Sequence, residues 1–308
     1  MHEPSPVERQ RLGMLLVAGA AILFASKGLF SKALYQRGVG FELLVAVRAL
    51  LALPLFGWLA LRPVPAPAQA NATRPRLAAV FAAALAGIIC YYIGALLDFW
   101  ALTLIDASIE RVLLFSYPAL VVLISSIMKR RMPETRLILA LLVTYAGIFL
   151  AMGGIDFAEL RQNLFGAMLV LIAALTTAIY FLIGERYTQE LGATRFAAIA
   201  MSSSAVALAI HFVMFRSVAE LAPLAAHDWM LLGILAIACM FLPGLLQAEG
   251  VRRVGAQRAA IGSTVGPPAT IVLAMLFLGE RLNGWQLLGS GMIVVSVWLL
   301  SFAKPVTD

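Results

Sequence analysis

Pro118 and the pair Pro267-Pro268 each fall near the middle of a long apolar run, and Pro118 and Pro267 are 149 residues apart. The same spacing carries Cys90 onto Cys239, Leu96-Leu97 onto Leu245-Leu246 and Ala107 onto Ala256. At a spacing of 150, Ala119 meets Ala269, Val122-Leu123 meets Val272-Leu273 and Leu150 meets Leu300. One apolar unit is therefore written twice, with the same helix interrupted in both copies. Duplicated units with matched breaks in apolar helices are the build of membrane proteins that move.

The 308 residues are 62% hydrophobic and 13% charged. A water-soluble domain cannot cover that much apolar surface with a polar shell. Runs near the length of about 20 residues that crosses a bilayer recur with short gaps. They lie at roughly 12–35, 41–61, 77–104, 108–128, 135–153, 163–184, 195–215, 229–250, 257–278 and 284–303. The expected fold class is an all-α integral membrane protein of ten transmembrane helices. Two five-helix repeats, 12–153 and 163–303, divide at the loop Gly153–Phe157. Five is odd, so the second repeat enters the membrane upside down.

The net charge of +7 is spread over loops rather than striped, which argues against nucleic acid as a partner. Lys and Arg in the connecting segments divide fifteen to five in favour of the side holding both termini, which are expected to be cytoplasmic. Lys129-Arg130-Arg131 after span four, against Gly279-Glu280-Arg281 after span nine, agrees with opposite orientations of the repeats. The run from Leu12 carries Ser26-Lys27 and leads into a second span, so it reads as a first helix rather than a cleaved signal. The Pro/Ala-rich stretch Arg62–Arg76 reads as an extended cytoplasmic connector. Gly262 and Gly266, the small residues Ala82–Gly87, and Gly284, Gly289 and Gly291 mark close helix contacts. These serve internal packing or a dimer, and a monomer suffices. Cys90 and Cys239 read as small packing residues, or as a disulfide if the symmetry axis brings them together.

The stretch Gly250–Val297 has Ala259-Ala260 opening a helix and Pro267-Pro268 at its middle. Phe277-Leu278-Gly279-Glu280-Arg281-Leu282 and Trp285-Gln286-Leu287-Leu288-Gly289 follow. This pattern resembles the EamA domain of the drug/metabolite transporter superfamily. The first half resembles it more loosely, through Lys27, Arg48, Pro118 and Gly147, and carries Lys-Arg-Arg where the family has a Gly-Glu-Arg-like turn. The resemblance implies ten helices around a central cavity lined by spans one, three, four, six, eight and nine, working by alternating access. It further implies export of small metabolites, amino acids and aromatic amino acids among them, across a bacterial inner membrane.

A proline inside a helix removes a backbone hydrogen bond and frees the carbonyl four residues back. Pro118, Pro267 and Pro268 are thus candidate hinges, with Ser116, Ser263 and Thr264 lining the breaks and freed carbonyls open to a substrate ammonium. Lys27, near the midpoint of span one, is expensive in lipid. It either binds a substrate carboxylate or pairs with Asp98 or Glu249. Arg48, Glu280 and Arg281 are assigned structural or gating roles. On span three, Tyr91 and Asp98 share a face, Tyr92 offers a second aromatic handle and Trp100 points elsewhere. Tyr180 with Thr176 and Thr177, and Gln247 as the repeat partner of Asp98, complete the candidate cavity. His211 reads as a helix-end residue or a proton carrier.

No HExxH, CxxC, GxSxG or phosphate-loop motif is present, so the chain is not expected to be an enzyme or to use a metal or cofactor. The expected activity is secondary export of small organic metabolites, amino acids foremost. Coupling is by proton antiport through Asp98, Glu249 or Lys27, or transport is passive. The partners are a small-molecule substrate and the lipid bilayer. A sugar-phosphate or nucleotide-sugar antiporter is the alternative, but it needs several cavity cations where only Lys27 and Arg48 qualify. A non-transporting scaffold is the other, and it would need neither matched breaks nor a buried lysine.

Overall fold

The computed structural model describes residues 6–62, 77–101, 103–105, 110, 113–151, 164–278 and 284–301. Every predicted span holds helix, and the described residues contain no strand. The first half comprises α1 (Pro6–Gln36), α2 (Phe41–Leu61), α3 (Leu77–Ala101), α4 (Tyr117–Lys129) and α5 (Thr135–Ala151). The second comprises α6 (Leu164–Leu191), α7 (Ala193–Phe215), α8 (Ala226–Val254), α9 (Ala256–Gly262), α10 (Gly266–Leu278) and α11 (Gly284–Ser301). Six of these, α1 to α3 and α6 to α8, are long and apolar enough to cross a membrane. Glu280 and Arg281, most of the 62–76 connector and the loop between the halves lie outside the described residues.

Single glycines make the tight corners. Gly192 alone joins α6 to α7 and Gly255 alone joins α8 to α9, with φ of +79° and +80°. An L side chain is strained there because its Cβ crowds the following carbonyl.

The helices pair in a way that repeats between halves. α1 runs antiparallel to α8: Gly13 lies against Val254, Ser26 against Cys239 and Arg37 against Asp228. Its repeat image, α6 against α3, places Gly94 on Thr176 and Gly166 on Leu104 and Ile105. α5 and α11, equivalent helices of the two halves, also pack antiparallel. Thr144 hydrogen-bonds Ser296 at 2.9 Å, and a Cβ on Gly289 would stand 2.4 Å from the Gly147 carbonyl oxygen. Without a hydrophobic drive between helices in lipid, such close backbone approach supplies the packing.

Two pairs of matched irregularities interrupt this pattern. α3 contains a π-helical segment, Ile88–Gly94, and α8 contains one at Ile237–Phe241. The two begin 149 residues apart, at the repeat spacing, and each holds one of the cysteines. The second pair is the proline breaks, and there the expectation needs correction. Pro118 is not inside a continuous span four: the chain turns at 115–116 and α4 begins at Tyr117, so the proline occupies the first turn, where no i−4 bond is required. Span nine is likewise two helices, α9 and α10, joined by the 3₁₀ turn Ser263–Val265, with Pro267 and Pro268 in the first turn of α10. The Ser263 carbonyl accepts the Gly266 N–H and is not left free.

At the first break a side chain replaces the missing backbone geometry. The Tyr145 hydroxyl donates to the Phe115 carbonyl at 2.9 Å and accepts the Ala119 N–H at 3.2 Å. It thereby sits within the 119-to-115 link that a regular helix would close directly. The repeat position in the second half is Val294 or Val295, so the device belongs to one half only. Tyr145→Phe should leave two half-buried backbone groups without this partner and destabilise the protein by about 1 kcal/mol. Thermal unfolding in detergent checks this, and an unchanged midpoint would show that the break needs no bridge.

Candidate functional site

The two breaks meet. The Tyr117 hydroxyl, beside Pro118, hydrogen-bonds the Ser263 hydroxyl in the α9–α10 turn, and the Phe115 ring packs on Gly266. Ser263 and Thr264 also turn back onto the Ala260 and Ile261 carbonyls at 2.8 and 2.6 Å. These side chains satisfy local backbone instead of standing open to a solute. Ser116 keeps a buried hydroxyl with no hydrogen-bond partner. Next to the meeting point lies an aromatic layer. Tyr117 stacks on Phe181 at 5.6 Å, and Tyr180 packs edge-on to Tyr91 at 5.0 Å and against Phe196 at 5.6 Å.

On the other face of Tyr91 is a cavity of about 120 Å³. α1 contributes Phe24 and Lys27, α2 contributes Arg48, and α3 contributes Cys90, Tyr91, Gly94, Ala95, Asp98 and Phe99. Ala173 and Thr177 of α6, Leu208 of α7, and Cys239 and Met240 of α8 close it. Lys27 reaches Asp98 at 3.6 Å, which decides between the two acids considered for it. Glu249 instead bonds Arg252 and Arg253 at the end of α8. The Lys27 ammonium and the Arg48 guanidinium each stand 5.1 Å from the centroid of the Phe99 ring. A ring face attracts cations through its quadrupole, so Phe99 gives each of these charges a favourable contact. Both cysteines are free thiols. Cys239 touches the Ser26 hydroxyl at 3.2 Å and Cys90 the Thr177 hydroxyl at 4.0 Å, a pair of contacts related by the repeat.

The placement of the sequence-derived candidates is uneven. Lys27, Tyr91 and Asp98 share the cavity, and Arg48, assigned to structure or gating, forms part of its wall. Tyr180 supports Tyr91 from behind and is 1% exposed. Gln247 is buried on α8 outside the cavity lining. Tyr92 faces away, bonding His211 Nδ1 at 3.1 Å in a separate groove shared with Trp100 and Glu42. Trp100 packs on Phe165 and is 44% exposed. Phe99 and Tyr145 are not among the sequence candidates, and Cys90 and Cys239, expected as packing residues or a disulfide, are free thiols on the cavity wall. Phe99 had adjacency to Asp98 as its only clue, and the cysteines had their repeat spacing.

Ion pairs join the halves at both ends of the molecule. Arg37 binds Asp228, and Arg216 binds Glu42 at 3.0 Å and Glu220 at 2.9 Å. That last contact holds the Glu220 carboxyl below the usual carboxylate range. At the opposite end Lys129 reaches Glu185 at 3.3 Å, and Arg258 donates to Gln10 at 2.8 Å.

Sequence and fold comparisons agree with this architecture. An uncharacterised transporter of Bacillus subtilis, YcbK, is 30% identical over 98% of this chain and 97% of its own. An uncharacterised transporter of Archaeoglobus fulgidus is 26% identical over 62% of this chain and 66% of its own. A solved crystal structure superposes with a TM-score of 0.74 at 16% identity, covering 92% of this chain and 94% of that one. The profile of the EamA-like transporter family matches twice, at residues 11–153 and 164–302, one match for each half. The chain is a member of the EamA-like transporter family.

Proposed function

We propose that this transporter exports amino acids or closely related small metabolites through the Lys27–Arg48–Asp98 cavity by alternating access. One observation carries the substrate class: on two residues of opposite charge that line this cavity, a buried atom lacks a hydrogen-bond partner, Arg48 Nε and Asp98 Oδ1. Buried polar atoms are normally satisfied, so each marks the place of a missing partner. A carboxylate suits the first and an ammonium the second, which are the two ends of an amino-acid head group. The apolar walls, Phe24, Leu114, Leu208 and Met240, suit a compact aliphatic body.

The antiparallel packing of the equivalent helices α5 and α11 supports an inverted arrangement of ten spans. The excess of Lys and Arg on one side supports cytoplasmic termini in a bacterial inner membrane. With the two breaks in contact and polar contacts formed across both ends at once, rocking of one half against the other would open one end by breaking its contacts while the other end stays closed.

Counterflow in proteoliposomes tests the reading. Vesicles preloaded with small neutral amino acids should accumulate the labelled compound, and phosphate esters should neither exchange nor compete. Exchange of sugar phosphates without amino acids would replace this reading by the antiporter alternative. Absence of flux for every solute would favour a scaffold.

A further inference from the structure

We infer that Arg48 holds a monovalent inorganic anion of the chloride class in the cavity whenever substrate is absent. The side chain is buried, with the residue 8% exposed, and its Nε has no hydrogen-bond partner. The contact it makes is with the face of Phe99, and a ring satisfies none of the guanidinium's five N–H donors in their plane. Removing a charge from water without a partner is strongly unfavourable in a membrane interior.

The charges around it do not cancel. Facing Arg48 are Tyr35 and Lys27 of α1, Tyr91 and Asp98 of α3, and Cys239 of α8. Tyrosines and thiols are neutral at pH 7 by their ordinary values. Asp98 is the carboxylate of this group, and Lys27 already takes its Oδ2 at 3.6 Å. Two cations and one carboxylate leave the cavity one positive charge in excess. A single negative charge balances it, whereas a dianion would restore an imbalance of the opposite sign beside Asp98. A cavity of about 120 Å³ accepts a halide. The free Asp98 oxygen repels anions from its own side, so the bound ion belongs on the guanidinium.

Anion and substrate carboxylate then compete for one guanidinium, and emptying the cavity of substrate refills it with the inorganic ion. The inference concerns the same cavity as the transport reading but does not require amino acids to be the cargo.

The test uses purified full-length protein in detergent without organic substrate. Sodium chloride is titrated against sodium gluconate at fixed ionic strength, and the melting temperature is followed. A ligand that binds only the folded state raises that temperature saturably. The expected result is a saturable rise of several degrees with chloride, reproduced by bromide and absent with sulfate. Arg48→Met should abolish it. If that variant does not fold, bromide-soaked crystals of the native protein decide by anomalous scattering, with a peak against the Arg48 guanidinium expected. Equal melting temperatures in chloride and gluconate, an undiminished rise in Arg48→Met, or no bromide at Arg48 would each overturn the inference. Glycine added in both salts separates the two claims. Stabilisation by glycine with no chloride effect leaves the transport reading standing alone, and the reverse leaves the anion site alone.

Discussion

Lys27→Met is expected to stop amino-acid counterflow while leaving a folded, monodisperse protein. Lys27 is partly exposed in its ion pair with Asp98, and removing the cation leaves the Asp98 carboxylate uncompensated in the membrane interior, so flux at subsaturating substrate should fall by about tenfold or more. The loss alone has two explanations, because Lys27 both faces the cavity and pairs with Asp98 at 3.6 Å. If the ion pair is only structural, Lys27→Met leaves Asp98 buried without its cation, and Lys27→Met with Asp98→Leu should recover transport. If Lys27 and Asp98 handle the substrate, the double variant is as inactive as either single one. We expect the second outcome, since Asp98 Oδ1 is left without a partner even with the pair intact. Recovery of flux in the double variant would remove both residues from the site.

The halves, the helical class and the position of the breaks were legible in the sequence because they rest on periodicity and spacing, which survive projection onto one dimension. The cavity was legible only in part. Lys27, Tyr91 and Asp98 could be named because charge and aromatic polarity inside an apolar run are conspicuous. Arg48 was equally conspicuous, but its role depends on α2 leaning against Phe99, a contact between helices that no spacing encodes. The separation of Tyr91 from Tyr92 has the same origin. Adjacent residues on a helix point about 100° apart, so which of the two tyrosines meets the cavity depends on where α3 packs against α1, α2 and α6. The prolines were legible as breaks and misread as kinks, because a proline that opens a helix and one that bends it look alike in sequence. What distinguishes them here is long-range or local backbone geometry: at the first break Tyr145, 26 residues from the Ala119 N–H it accepts, and at the second the Ser263–Val265 turn.

Gly87→Ala should be among the most damaging single-carbon changes in the chain. At this residue α3 crosses α7 so closely that an added Cβ would lie 1.9 Å from the Ala200 carbonyl oxygen and 2.4 Å from its carbon. The obstacle is backbone rather than a flexible side chain, so no rotamer relieves it and the helices must separate. The nearby Ser203 hydroxyl bond to the Ala84 carbonyl, at 2.9 Å, would be stretched by the same displacement. Overpacking of this kind costs about 1–3 kcal/mol or more, against a gain of about 1 kcal/mol from the better helix propensity of alanine. The net sign is destabilising. Gly57→Ala is the control: it lies within α2 with nothing inside 4 Å of the added carbon, so only the propensity gain remains and the midpoint should hold or rise. α3 also carries Tyr91 and Asp98, so moving it displaces Asp98 from Lys27 and should lower flux along with stability. Thermal unfolding and counterflow on the two variants give the comparison. Equal midpoints would mean that the α3–α7 crossing is looser than its geometry, and that the small residues along α3 are there for reasons other than contact.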